Sequence, residues 1–194
     1  ARAGELSDVL DTLRGHHNYS FVHSLKVASL LAIFGVHTGI PEGDLQVMAQ
    51  GGLLHDVGKS LTPLEILDKP ARLSEEEWVV MRQHVDLTME MLNNTGGIPE
   101  PIIKIAGQHH EKLDGSGYPG GLKGTEIDDL SLIASIMDVY SALTDKRAYK
   151  APMPPARALE IMHGMSGHHL EPGFLSCFEE MVLSGEAGSI VGGG

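Results

Sequence analysis

The chain has 194 residues, enough for one core of ordinary size, and its 42% hydrophobic and 21% charged content is that of a globular protein, not a disordered or collagen-like one. Fourteen Lys and Arg against 26 Asp and Glu leave a formal charge of −12, the wrong sign for wrapping a nucleic-acid duplex by counterion release. One cysteine, Cys177, excludes an internal disulfide and a cysteine-rich zinc site.

A cytoplasmic compartment is expected, with no secretory leader at the polar start and no apolar run approaching the roughly 20 residues of a membrane helix. Residues 1–17 are read as a lead-in segment. Residues 18–184 are read as one all-α domain, a compact helical bundle. Residues 185–194 are read as a flexible, glycine-rich tail. Helical periodicity predicts helices over residues 19–37, 41–57, 62–67, 74–93, 99–109, 129–143, 155–165 and 172–183. Pro41 and Pro99 stand at helix starts. Ser74 followed by Glu77 makes a capping box, and Gly96-Gly97 ends that helix. Period-two alternation is nearly absent. Between residues 110 and 125 a glycine-rich stretch cannot be helical and forms one elaborate loop.

Several polar residues fall where the core should be. His23 lies in the apolar stripe of Val27, Leu30 and Phe34, so both of its ring nitrogens need partners. Asp56 shares a face with Leu45, Ala49 and Gly52, with His55 beside it. It needs a cation, either Lys59 or a metal ion. Asp138 sits among small residues on its helix. His84 is in mid-helix, and His109 and His110 end a helix just before the loop. Each has an ordinary alternative: a core histidine bonded to a carbonyl, an Asp56–Lys59 ion pair, a helix-packing seam. Together they are five histidines and two aspartates, each on or ending a packed segment. Eleven histidines with a single cysteine point the same way. Imidazole with carboxylate suits Fe, Mn, Ni, Co or Zn. Seven donors exceed one tetrahedral site and suit two metal ions bridged by a carboxylate, the arrangement used for in-line phosphoryl displacement. The other histidines, His16, His17, His37, His163, His168 and His169, are read as surface or loop residues.

The sequence His55-Asp56-Val-Gly-Lys59 resembles the HD phosphohydrolase signature. The run from His109-His110 through Gly117-Tyr118-Pro119 resembles the GYP half of the HD-GYP domain. The segments His23 to Ala28, Pro63 to Leu67 with Lys69-Pro70, and Asp138 to Lys150 agree with it in order, so the resemblance covers most of the chain. It implies a helical bundle of the HD superfamily type with a GYP loop, hydrolysing cyclic di-GMP to linear pGpG, with slow onward conversion to GMP. It implies His23, His55, Asp56, His84, His109, His110 and Asp138 as metal ligands. His23, His55 and Asp138 would hold one ion and His84, His109 and His110 the other, with Asp56 bridging. The implied nucleophile is a hydroxide between the ions, and Asp56 and Lys59 are the implied catalytic residues. Lys59, Gly117, Tyr118, Pro119, Arg147, Tyr149 and Lys150 are the implied substrate-binding residues. For the last three an ordinary solvated basic turn is the alternative. Implied partners are diguanylate cyclase (GGDEF) proteins, meeting the GYP loop, and an upstream regulatory domain. The rival reading is a sensor or adaptor that binds cyclic di-GMP without turnover.

Two positions depart from that pattern. Some members carry a glutamate where this chain has Tyr19 and hold three metals; a phenol does not replace a carboxylate, so two are expected here. Many members carry an aspartate where this chain has Ser141.

Overall fold

The computed structural model of the protein describes residues 3–146 and 152–188. Helix α2 (Asn18–His37) is the element around which the others gather, because apolar residues recur along it at helical spacing. Val27, Leu30, Leu31 and Phe34 are buried along it. Helices α1 (Ala3–His16), α3 (Glu42–Leu54) and α7 (Asp129–Thr144) pack against it. Gly52 on α3 allows the close approach: a Cβ there would lie 2.9 Å from the Ala28 Cα and 2.6 Å from a Leu31 methyl. The remaining elements are α4 (Leu64–Leu67), α5 (Glu75–Thr95), α6 (Glu100–Gln108), α8 (Pro155–His163) and α9 (Pro172–Ser184). Short 3₁₀ turns span Val57–Leu61 and Gly124–Glu126. Among the described residues there is no strand, only a lone bridge between Ser166 and Leu170. The all-α expectation is met, and the Ser74–Glu77 capping box opens α5 as predicted.

Two apolar clusters divide the interior. The larger joins Val27, Phe34, Ile136, Met137, Tyr140 and Phe178 from α2, α7 and α9. The smaller joins Leu13, Leu54, Val57, Leu92, Ile102 and Ala106 from α1, α3, the first 3₁₀ turn, α5 and α6.

Five expectations need correction. The helix predicted over residues 41–57 stops at Leu54, because Asp56 leaves helical geometry at φ −114° and a short 3₁₀ turn follows it. The lead-in contains α1, whose Leu13 is fully buried. His17 is a buried residue, with Nδ1 2.7 Å from the Ser20 hydroxyl and Nε2 3.0 Å from Asp68. A helix of membrane-spanning length and composition does exist: α2 has a mean hydropathy of 1.5. Its packing against α1, α3 and α7 accounts for that apolar character as core. Of the predicted tail, Ala187 packs into the larger cluster.

Candidate metal centre

Each donor is delivered by the end or the inward stripe of a helix. His23 projects from α2, and His55 and Asp56 follow the last turn of α3. His84 lies on α5, His109 and His110 end α6, and Asp138 lies on α7. The structure brings all seven together in two sets, Asp56 with His84, His109 and His110, and His23 with His55 and Asp138. Within each set the donor atoms lie within 4.8 Å of one another.

Three of the imidazoles are oriented by the same device. The Nδ1–H groups of His55, His84 and His109 donate to the carbonyls of Gly52, Met81 and Ala106 at 2.7, 2.7 and 2.8 Å. A carbonyl only accepts, so the proton sits on Nδ1 and the Nε2 lone pair is left facing inward. Nε2 of all three rings is buried without a hydrogen bond, and so is Oδ1 of Asp56. A buried polar atom left in that condition costs about 1–3 kcal/mol. Four such atoms converging on one volume fit cations held by nitrogen and oxygen.

The aspartates connect the two sets. Asp56 Oδ2 lies 3.2 Å from His55 Nε2, and its Oδ1 lies 3.2 Å from His84 Nε2 and 3.9 Å from His109 Nε2. Asp138 Oδ1 lies 2.8 Å from His23 Nε2 and 3.9 Å from His55 Nε2, and its Oδ2 lies 3.8 Å from His110 Nδ1. Burial alone would push both carboxyls toward neutrality. For Asp56 the adjacent His55 imidazole and the Lys59 ammonium outweigh that and hold its pKa well below the usual carboxylate range. For Asp138 the hydrogen bond from His23 does the same. Burial lowers His109 to about 3, with His55 adding to it, and lowers His110, with His109 adding to it. Both rings are therefore neutral ligands at neutral pH. His23 differs. Burial opposes its charge, but hydrogen bonds to Asp138 and Asp145 prevail and raise it to about 9.

Residues 7–173 match the sequence profile of the HD domain. The chain belongs to the HD-domain family. This HD domain is 40% identical over 135 residues to the 3′3′-cGAMP-specific phosphodiesterase 2 of Vibrio cholerae, covering 69% of this chain and 26% of that protein. It is 31% identical over 179 residues to a cyclic di-GMP phosphodiesterase of Pseudomonas aeruginosa, covering 92% of this chain and 43% of that protein. It thus spans between a quarter and a half of the length of these curated relatives. The solved structure of Bd1817, an HDG"Y"P protein from Bdellovibrio bacteriovorus, superposes with a TM-score of 0.70 at 22% identity, covering 83% of this chain and 51% of that one. That likeness concerns the fold alone.

The remaining predicted site residues of this HD domain divide. Lys59 lines the cavity over the donors and places Nζ 2.5 Å from Asp56 Oδ2, so the ion pair weighed in the sequence is present. Tyr118 lines the same cavity, its ring 4.7 Å from that of His110. Gly117 packs the loop onto the turn after α6, where a Cβ would lie 2.5 Å from the Glu111 Cα. Pro119 is exposed and faces a separate groove beside Met89 and Ile103. Arg147, Tyr149 and Lys150 lie outside the described residues.

Two residues of the HD domain escaped the sequence reading. Asp145 accepts from His23 Nδ1 at 3.0 Å and pairs with Lys26 at 2.7 Å. It follows Asp138 by seven residues and Ser141 by four, on one helical face, and that spacing was the available signal. Ser141 Oγ stands 3.2 Å from the same His23 nitrogen, so the next turn supplies the carboxylate that Ser141 lacks. Glu111 is buried and accepts the backbone N–H groups of Gly120, Gly121 and Leu122 at 2.6, 3.1 and 3.0 Å. It folds the glycine loop back onto the end of α6.

Proposed function

We propose that this HD domain is a metal-dependent phosphodiesterase that opens a cyclic dinucleotide, cyclic di-GMP first among them, to linear pGpG, with slow conversion to GMP. The observation that carries the reading is the placement of Asp56, one oxygen directed at each donor set. In this assignment His23, His55 and Asp138 would hold one ion and His84, His109 and His110 a second, with Asp56 shared between them. Fe, Mn, Ni, Co and Zn all suit such donors. Bound ions would supply Lewis acidity toward the phosphodiester and lower the pKa of a water toward neutrality.

The chain supplies the rest. Lys59, beside Asp56, exchanges that partner for a non-bridging phosphate oxygen and stabilises the charge that grows there. Asp145 holds the His23 ring in orientation and takes up its Nδ1 proton in a hydrogen bond, which leaves Nε2 as the donor. Tyr118 closes the cavity on the side of His110 and excludes water from it. The presence of every donor favours turnover over a sensor that only binds. The names of the relatives support cyclic dinucleotides as the substrate class. Diguanylate cyclases are proposed as partners at the exposed Pro119 side of the loop, with an upstream regulatory domain and a cytoplasmic location.

The test is protein purified anaerobically, loaded with each candidate metal and incubated with cyclic di-GMP, cyclic GMP-AMP and cyclic di-AMP, with products separated by chromatography. Linear dinucleotide is expected. Tight binding without product under every metal would support the sensor reading instead.

A further inference from the structure

The rim of the cavity carries an aromatic ring and a cation that the metal chemistry leaves unused. Trp78, the only tryptophan of the chain, lies on α5 and remains 40% exposed although it lines the cavity. Arg82, one turn further along, places its guanidinium 5.8 Å from the centre of the Trp78 ring and 5.3 Å from that of Tyr118. Both distances fall within the range of cation–π attraction, so the guanidinium is braced between two rings. Among the described residues Arg82 has no ion-pair partner. Tyr118 then contacts His110, so the braced pair stands one side chain away from the donors.

The size of the cavity says what this rim is for. Its volume is about 220 Å³, below the roughly 300–1,000 Å³ of a pocket that encloses a drug-sized ligand. It can take a phosphodiester and the adjoining sugar edges, but the bases of a dinucleotide must lie outside it. An exposed indole offers a face on which any base stacks. A braced guanidinium is more selective. Guanine presents two acceptors, O6 and N7, which match its fork, whereas adenine presents an acceptor and a donor.

We propose that Trp78 and Arg82 form a nucleobase subsite that holds the base next to the scissile phosphate and favours guanine over adenine. The inference rests on the phosphodiesterase reading above and specifies how its substrate is selected. It extends to a mixed guanine–adenine dinucleotide, whose guanine half would occupy the Trp78 side.

Because Trp78 is the sole tryptophan, stacking can be read directly. The metal-loaded protein is titrated with pGpG and with pApA, following intrinsic fluorescence and, in parallel, calorimetric binding. We expect quenching by both and tighter binding of pGpG. Arg82→Gln should bring the two affinities within about twofold while the quenching persists. Trp78→Ala should raise KM for cyclic di-GMP roughly 5- to 100-fold with kcat little changed. Trp78→Phe should restore most of the affinity, which a general loss of folding would not allow. The subsite is overturned if calorimetry detects pGpG while the Trp78 emission stays constant. It is also overturned if Trp78→Ala keeps a native KM, or if Arg82→Gln keeps the native base preference. If no cyclic or linear dinucleotide binds or is hydrolysed at all, the phosphodiesterase reading fails and takes the subsite with it.

Discussion

The carboxylate of Asp145 stands 3.0 Å from Nδ1 of His23, on the edge of the imidazole away from the one that meets Asp138. Among the described residues it makes His23 the one imidazole donor whose Nδ1 hydrogen-bonds a charged side chain and not a backbone carbonyl, and it is itself held by Lys26 and Ser141. Replacing such a partner costs metal affinity by about 10- to 100-fold in comparable sites. Asp145→Asn should therefore weaken metal binding by that order while the helical circular dichroism stays native. Competition with a coloured chelator would measure it. Unchanged affinity would remove Asp145 from the centre.

Asp56→Ala should abolish hydrolysis and metal loading together. A carboxylate that belongs to both donor sets cannot be lost from one alone, whereas losing His110, which is partly exposed, should spare one ion. Metal analysis of the two variants side by side is the measurement. An Asp56→Ala protein holding two ions per chain with normal turnover would show the assignment to be wrong.

Lys59→Ala should leave the metal content intact and lower kcat/KM by roughly 10- to 100-fold, the worth of a charge-assisted contact made in the transition state. In the structure Lys59 neutralises Asp56. Ions bound to Asp56 would take over that task, so the variant should not be destabilised once loaded. Loss of metal with normal turnover after reconstitution would contradict this role, as would unchanged kcat/KM.

Tyr19 stacks on His23 at 6.1 Å between ring centres and donates to Asp145 at 3.3 Å. It therefore occupies the place from which one more carboxylate would reach the His23 side of the centre. The native protein should bind two ions and accumulate pGpG. Tyr19→Glu should raise the stoichiometry toward three and speed the formation of GMP. Without metal the same variant should lower Tm, because it sets a second carboxylate beside Asp145. Three ions in the native protein, or rapid release of GMP by it, would defeat the argument.

The helices could be read from the sequence because they obey local rules, whereas the seven donors are drawn together by their shared oddity and by the resemblance to the HD-GYP pattern. Ser74 and Glu77 announce a helix start, and His23 interrupts an apolar stripe whose period is plain. What stayed hidden depends on tertiary partners. The stop at Leu54 comes with the non-helical backbone of Asp56, which no propensity records. His17 reads as polar and ends up buried because Asp68, far along the chain, comes to meet it. Trp78 has the look of a core residue, and only the fold shows that it faces the cavity.

The order of the donors along the chain has a bearing on how the protein matures. The set of Asp56, His84, His109 and His110 is complete once residue 110 has been made, whereas the set of His23, His55 and Asp138 waits for α7. Synthesis proceeds at about 5–20 residues per second, so the second set gains its last donor some seconds after the first.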